Sequence, residues 1–132
     1  VPQGSWILSG GGRGITALAG MALAERYGIT LHLLGTAAVP EVPPAMREAA
    51  RSDRGALRRE IMRQATERGE NAIEAWRDAE KAIEIDATLQ ECRERGIRAT
   101  YYCCDVSDTA DVKATLDAIR REDGPIRGVI HG

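Results

Sequence analysis

Phenylalanine is absent from this chain, and aromatic residues make up only 4% of it. Leu, Ile, Val and Ala must therefore fill the core, and a hydrophobic fraction of 43% is sufficient for one. The formal net charge of −2 provides no general positive field, which argues against a nucleic-acid partner.

No apolar run approaches the roughly 20 residues of a membrane span. Residues 1–4 lack the charged and apolar regions of a signal peptide. We therefore expect one cytoplasmic domain, or a piece of one, without a membrane partner.

Cysteine is also scarce, with only Cys92, Cys103 and Cys104 in the 132 residues. These residues form no C-x-x-C pair, and the adjacent Cys103 and Cys104 would point to opposite faces of a strand. The pattern argues against a disulfide scaffold and against a zinc site, so we predict reduced thiols and no metal.

Glycine, in contrast, is concentrated in one informative stretch, Ser9-Gly10-Gly11-Gly12-Arg13-Gly14-Ile15-Thr16. It follows a short apolar run, residues 6–8, and opens a helical pattern. A glycine-rich turn between a strand and a helix can hold a phosphate, because the backbone comes close to the ligand and the helix N-terminus attracts anions. The spacing differs from G-x-G-x-x-G and fits Ser-Gly-x-x-x-Gly-Ile. The loop predicts a nucleotide diphosphate site, and the alternative is a turn in which glycine only relieves backbone strain.

Strand and helix patterns alternate along the rest of the chain. We predict strands at 6–9, 29–34, 97–104 and 126–130, and helices at 14–27, 54–68 and 72–95, with a further helix capped by Ser107 or Asp108. Pro40, Pro43 and Pro44 predict a non-helical loop after strand two. The order predicts an α/β fold with a partial, Rossmann-like, doubly wound parallel sheet of strand order 3-2-1-4. A long helical insertion at about 40–80 follows strand two, and the ligand site lies at the carboxyl ends of strands one and four.

Helical spacing also predicts which faces are buried. On helix 14–27 the apolar stripe consists of Ile15, Leu18, Ala19, Ala22 and Leu23. Helix 72–95 carries two offset stripes, so its later half should cover the sheet and its earlier half should contact the insertion. These two stripes are Ile73, Trp76, Ala79 and Ile83, and then Ile85, Leu89 and Cys92. Asn71 and Glu74 have the spacing of a capping box at its start.

The glycine loop, the strand end Leu33-Leu34-Gly35, the segment Cys104-Asp105-Val106-Ser107-Asp108 and the segment Gly128-Val129-Ile130-His131-Gly132 together resemble the short-chain dehydrogenase/reductase superfamily. More narrowly, they resemble ketoreductase domains of polyketide and fatty-acid synthases. The Ser-Gly-Gly-Gly-Arg-Gly-Ile-Thr loop with a long insertion after strand two is most similar to iterative synthases of the enediyne and polyunsaturated fatty acid type. The resemblance covers nearly the whole chain apart from the insertion.

This resemblance implies an NADPH site. Arg13 would lie near the adenosine 2′-phosphate, Asp105 would accept a hydrogen bond from the adenine amino group, and the Val106 backbone would border the adenine ring. The loop that holds the pyrophosphate would consist of Gly10, Gly12, Gly14 and Ile15. The segment that lines the cofactor after strand four would begin with His131 and Gly132. The simpler alternatives are that Arg13 is a solvated residue at the helix start and that Asp105 only caps a turn.

The chain departs from the family pattern at two positions. Thr16 stands where the loop's last glycine is expected, which should keep the first helix further from the strand. Thr36 stands where ketoreductases commonly have arginine, so Thr36 contributes less to a 2′-phosphate site and Arg13 contributes more. No Asp or Glu between Gly35 and Pro40 could hold a free 2′-hydroxyl, so NADPH is favoured over NADH.

The family's catalytic Ser, Tyr and Lys or Asn lie beyond strand four, and Tyr27, Tyr101 and Tyr102 lie on other elements. We therefore expect an incomplete NADP-binding domain over 1–132, part of a longer β-ketoacyl reductase acting on an acyl carrier-bound substrate and inactive alone. We also expect self-association through the sheet edge or the long helices. The alternatives are a structural ketoreductase half that binds no cofactor and a nucleotide-binding regulatory module.

Overall fold

The computed structural model describes residues 4–10 and 12–132, and Gly11 of the glycine loop and residues 1–3 lie outside this part. Within it the strands are β1 (Ser5–Ser9), β2 (Thr30–Gly35), β3 (Ala99–Cys103) and β4 (Ile126–His131). The helices are α1 (Gly14–Tyr27), α2 (Pro44–Ser52), α3 (Arg54–Glu67), α4 (Ala72–Glu94) and α5 (Thr109–Asp123). These bounds agree with the sequence-based elements to within about two residues, apart from α2.

The four strands form one parallel sheet in the order β3-β2-β1-β4, which confirms the predicted topology. Every pairing is parallel, with Leu8 opposite Leu33 in β2 and Ile130 in β4. The order reverses between β1 and β4, and a doubly wound sheet opens a crevice at the carboxyl ends of its strands at that point. The loops after all four strands therefore lie at the same end of the sheet.

Each face of the sheet carries its own core. On one face Leu8, Leu31 and Leu33 pack with α1 and with Cys92 from the last turns of α4. On the other face Ile7 and Leu34 pack with Ile119 of α5. Helices on both faces of a parallel sheet define the doubly wound arrangement. The prediction that the later half of α4 covers the sheet is correct.

Helix α1 contacts the sheet mainly through small residues, and of the predicted apolar stripe only Leu23 packs against the core. Its buried residues are Ala17, Gly20, Met21 and Ala24. Ile15 and Leu18 are 85% and 63% exposed. A Cβ on Gly20 would lie 2.3 Å from Leu8 Cδ2, so the helix approaches β1 at a distance that only glycine permits. The close approach that a glycine at position 16 was expected to provide occurs one turn later, at Gly20.

The chain divides into two compact units, residues 1–39 with 87–132 and residues 40–86. The second unit contains α2, α3 and most of α4. Pro44 is the first residue of α2, where proline is tolerated because its missing N–H would have no helical partner, so this proline begins a helix that the sequence did not predict. Arg47 donates to both carboxylate oxygens of the buried Asp86, at 2.8 and 3.0 Å, and this bidentate pair joins α2 to α4.

Three helix starts follow the expected chemistry. The side chains of Asp53, Asn71 and Asp108 accept backbone N–H bonds at the starts of α3, α4 and α5. The choice between Ser107 and Asp108 is thus settled for Asp108. In α4, Trp76 is buried as predicted, whereas Ile73 is exposed and does not belong to the buried stripe.

A buried polar cluster lies on the α5 face of the sheet. His32 is fully buried, and its Nδ1 lies 2.9 Å from the Tyr102 hydroxyl. Its Nε2 lies 3.4 Å from Asp123 Oδ2, and Arg98 contacts the other oxygen of that carboxylate at 2.5 Å. Burial lowers the pKa of His32, and Arg98 acts in the same direction, while Asp123 and Glu122 oppose them. The neutral imidazole is therefore the form that the fold favours, with Tyr102 donating to Nδ1.

Acid should destabilise this cluster in a defined pH range. The unfolded chain protonates histidine near pH 6.5, whereas the folded chain resists it, so stability is complete above about pH 6.5 and falls as the pH drops towards the folded pKa. The slope cannot exceed about 1.4 kcal/mol per pH unit for one group. Urea unfolding between pH 7.5 and 5.5 should show this loss, and His32→Gln should flatten it. His131→Gln is the matched control, since His131 is exposed, and an unchanged slope in His32→Gln would contradict the assignment.

Candidate functional site at the carboxyl ends of the strands

The loop after β1 turns at a residue that only glycine suits. Gly10 has φ +71°, and its N–H donates to the Leu34 carbonyl at 2.8 Å. A Cβ there would meet the Gly132 carbonyl oxygen at 3.4 Å. Gly10 is therefore held between the ends of β2 and β4 and starts the loop across the end of the sheet, and Gly12 is buried beyond it.

The loop ends at an exposed helix start. Gly14, the first residue of α1, has φ +71°, and an added Cβ would meet no atom within 4 Å in the described part of the chain. Arg13 is the N-cap in extended conformation, and its side chain makes no capping bond, in contrast to Asp53, Asn71 and Asp108. No acidic residue stands in the first turn of α1. The positive end of this helix and its backbone N–H groups are therefore available to an anion approaching beside Gly14.

The end of β4 closes one side of this loop. The Gly132 N–H donates to the Ser9 carbonyl at 3.0 Å, and the Ser9 hydroxyl hydrogen-bonds to His131 Nδ1. Gly132 lies so close to Thr16 that an added Cβ would be 2.0 Å from its Oγ1. The threonine that replaces the expected glycine is thus accommodated by the glycine that follows β4.

The loop after β2 is attached to β3 through three successive carbonyl groups. The Cys104 N–H donates to the Gly35 carbonyl at 2.8 Å, the Cys103 thiol to the Thr36 carbonyl at 3.6 Å, and the Tyr101 hydroxyl to the Ala37 carbonyl at 2.8 Å. Thr36 is exposed at this position.

Tyr101 and Arg13 are near enough to interact electrostatically. Burial raises the pKa of Tyr101, and the positive charge of Arg13 acts against that shift. The charge of Arg13 therefore acts on Tyr101, whose hydroxyl donates to the Ala37 carbonyl in the loop after β2. Tyr101 was not among the predicted site residues, because its register opposite Leu33, two residues before the strand end at Gly35, is known only from the structure.

The segment after β3 is folded as an Asx turn. Asp105 Oδ1 accepts from the Ser107 N–H at 2.9 Å and from the Ser107 hydroxyl at 2.6 Å. These bonds lower the pKa of Asp105, so the carboxylate is ionised at neutral pH. Asp105 thus has the turn-forming role given as its simpler alternative, and both bonds use one oxygen, which leaves Oδ2 facing away from them. Val106 next to it is half exposed.

The structure thus brings the predicted residues Gly10, Arg13, Gly14, His131 and Gly132 to one end of the sheet, with Thr36 and Asp105 following the next two strands. This end carries two positive-φ glycines, Gly10 and Gly14, and a helix start whose N-cap residue, Arg13, makes no side-chain capping bond. Within residues 4–10 and 12–132, no group of three His, Cys, Asp or Glu side chains could hold a metal ion. No helix in this part of the chain has the length and apolar character to cross a bilayer.

The fold and the loop define a doubly wound α/β domain of the Rossmann-like type. The family described as KR domain matches residues 4–132. The chain therefore belongs to the KR domain family, within the short-chain dehydrogenase/reductase superfamily. Short-chain dehydrogenase/reductase 3 from Homo sapiens and from Bos taurus are each 32% identical to it in an alignment 116 positions long that covers 77% of this chain and 37% of the relative. The chain thus spans about 37% of the length of these relatives.

Two solved structures share the fold. A ketoreductase domain from the bacillaene assembly line has a TM-score of 0.61 at 21% identity, covering 98% of this chain and 21% of its own. An N-terminal ketoreductase from the macrolactin assembly line has a TM-score of 0.56 at 19% identity, covering 98% and 18%. At these identities the likeness establishes the architecture.

Proposed function

We propose that this chain binds NADPH as the cofactor-binding part of a β-ketoacyl reductase in a multidomain polyketide or fatty-acid synthase of the iterative type. The observation that carries the proposal is the start of α1. Gly14 there has positive φ and, among the described residues, open space beside it, and the N-cap side chain leaves the first turn uncapped. A dinucleotide's pyrophosphate is the anion that this position in a doubly wound fold suits best.

The other residues would hold the rest of the cofactor. Gly10, Gly12 and Ile15 would contribute backbone to the pyrophosphate loop, Asp105 would accept from the adenine amino group through Oδ2, and Val106 would border the ring. His131 and Gly132 would line the cofactor from β4. When bound, NADPH would supply the hydride that reduces the ketone of a β-ketoacyl thioester, delivered on an acyl carrier.

The choice of NADPH over NADH depends on charge. Arg13 would interact favourably with a 2′-phosphate, and no acid between Gly35 and Pro40 could bind a free 2′-hydroxyl. Thr36 would offer a hydroxyl at the position where related enzymes commonly have arginine.

Residues 1–132 should not reduce a β-ketoacyl thioester by themselves. A ketoreductase needs a tyrosine that protonates the carbonyl oxygen, and the three tyrosines here are otherwise placed. Tyr27 ends α1, Tyr101 donates to Ala37, and Tyr102 contacts the buried His32.

A fluorescence titration with NADPH and NADH tests the proposal. Saturable binding that is tighter for NADPH is the expected result, accompanied by no oxidation of NADPH when a β-ketoacyl thioester is added. Absence of binding would instead favour a structural ketoreductase half, and preference for NAD or a mononucleotide would favour a regulatory module. Measurable thioester reduction would contradict the assignment of an incomplete active site.

We also propose self-association through the edge of β4. Within the described residues β4 pairs only with β1, and Val129 on it is 64% exposed. Unpaired strand edges with apolar side chains pair with other chains. Light scattering should therefore show dimers or larger species at high concentration, and a Val129→Lys variant should reduce them. A strict monomer would contradict this proposal.

A further inference from the structure

The conformation of the loop after β2 is fixed by hydrogen bonds from residues outside the loop. The carbonyl groups of Gly35, Thr36 and Ala37 all accept from β3 and the residue after it. Two of the three donors are side chains, the thiol of Cys103 and the hydroxyl of Tyr101. Because these carbonyl groups all face β3, the exposed Thr36 side chain is presented by a backbone with little freedom.

Gly35 and Tyr101 fit each other as a pair. A Cβ on Gly35 would lie 2.7 Å from the Tyr101 hydroxyl oxygen, although the backbone there does not require glycine for its φ angle. Glycine at this position therefore provides room for the hydroxyl group. Tyr101 is 6% exposed, so its ring cannot easily move aside.

We propose that Tyr101 is a positioning residue that holds the Thr36–Ala37 loop in the conformation that, with Arg13, distinguishes a 2′-phosphate from a 2′-hydroxyl. This inference rests on the proposed NADPH site. Tyr101 donates to the loop itself, so its effect should be confined to the end of the site that would carry the 2′ substituent.

Removal of the Tyr101 hydroxyl should weaken the binding of NADPH and leave the binding of NADH nearly unchanged. In Tyr101→Phe the Ala37 carbonyl loses its partner, and the loop gains freedom that binding of the 2′-phosphate must remove. We expect the Kd for NADPH to rise roughly three- to tenfold, the range that one hydrogen bond of this kind accounts for. The Kd for NADH should stay within about twofold, so the ratio of the two constants falls.

Tyr102→Phe is the matched control. It removes the hydroxyl of the next residue on the same strand, which contacts His32 at 2.9 Å on the other face of the sheet. A purely structural effect of losing a tyrosine hydroxyl from β3 would be common to both variants. Only Tyr101→Phe should lower the NADPH preference.

Gly35→Ala tests the same contact from the opposite side. The added methyl group should displace the Tyr101 hydroxyl and reproduce the loss of preference. In a Tyr101→Phe background the ring carbons nearest to the added Cβ at position 35 would lie 3.4 and 3.6 Å from it. Gly35→Ala should then have little further effect. This non-additivity keeps the inference testable if either single variant is poorly folded.

The experiment is calorimetric titration of the whole chain and its variants with NADPH and NADH. The alkylation rate of Cys103 by N-ethylmaleimide gives a second readout, because Cys103 is exposed and Cys92 and Cys104 are buried. Tyr101→Phe should accelerate this reaction, and Tyr102→Phe should not. Unchanged preference in Tyr101→Phe, or equal losses in both tyrosine variants, overturns the inference and leaves the NADPH site standing. Failure of the unaltered chain to bind either cofactor overturns the proposed function and this inference with it.

Discussion

Gly14→Ala is expected to weaken NADPH binding about ten- to hundredfold. The new methyl group would occupy the open space beside the α1 N-terminus, where the pyrophosphate must approach the backbone. Loss of one hydrogen bond from the backbone to a charged oxygen accounts for an effect of this size. Isothermal titration with NADPH measures it directly.

Gly28→Ala provides the control for backbone strain. Gly28 ends α1 with φ +67°, and an added Cβ would also meet no atom within 4 Å in the part of the chain that the structure describes. Alanine at either position should cost a similar free energy of unfolding, about 1 kcal/mol, because both backbones are left-handed. Equal loss of NADPH affinity in the two variants would show that the loop has no direct role in binding.

Gly20→Ala should destabilise the sheet-containing unit by about 1–2 kcal/mol, although alanine is the better helix former by about 1 kcal/mol. The methyl group would collide with Leu8 Cδ2, and Leu8 is fully buried, so the strain cannot be relieved by a simple rotation. Urea unfolding followed by Trp6 fluorescence, in a Trp76→Phe background, reports on this unit.

A Leu8→Val background should reverse the effect of Gly20→Ala on the free energy of unfolding. Valine has no δ carbons, so the space next to position 20 opens, and Gly20→Ala made in that background should stabilise the chain. Ala22, exposed on the same helix, serves for comparison: Ala22→Gly should cost about the same with either residue at position 8. Identical effects of Gly20→Ala in both backgrounds would refute the close contact between α1 and β1.

The same contact explains which parts of the fold the sequence predicts well. Strand order and the position of the glycine loop follow from the alternation of strands and helices, because crossover handedness leaves few arrangements. The buried face of α1 did not follow. Ile15 and Leu18 have the periodicity of a core stripe, yet they are exposed, and the helix lies so close to β1 at Gly20 that no side chain fits there. The hydrophobicity pattern alone does not predict that a buried helix face must contain a glycine where it meets a strand.

The candidate site shows a similar division. Gly10 and Gly14 are identifiable from spacing because positive φ angles and backbone exposure demand glycine. The roles of Tyr101 and Gly35 depend on a contact between residues 66 positions apart, which no local pattern encodes. Pro44 failed as a helix breaker for a local reason, since the same ring that stops a helix from within is suited to its first turn.

Thr16 and Gly132 together occupy a space that holds one side chain. With a hydroxyl group on α1, the facing position just after β4 has to be glycine, since even a methyl group would be 2.0 Å from Thr16 Oγ1. Across related chains the residues at positions 16 and 132 should therefore vary as a pair. A residue larger than glycine at position 132 should occur together with glycine or alanine at position 16. A larger residue at position 132 beside Thr16 should destabilise the fold, and Thr16→Gly made in the same chain should restore much of that stability.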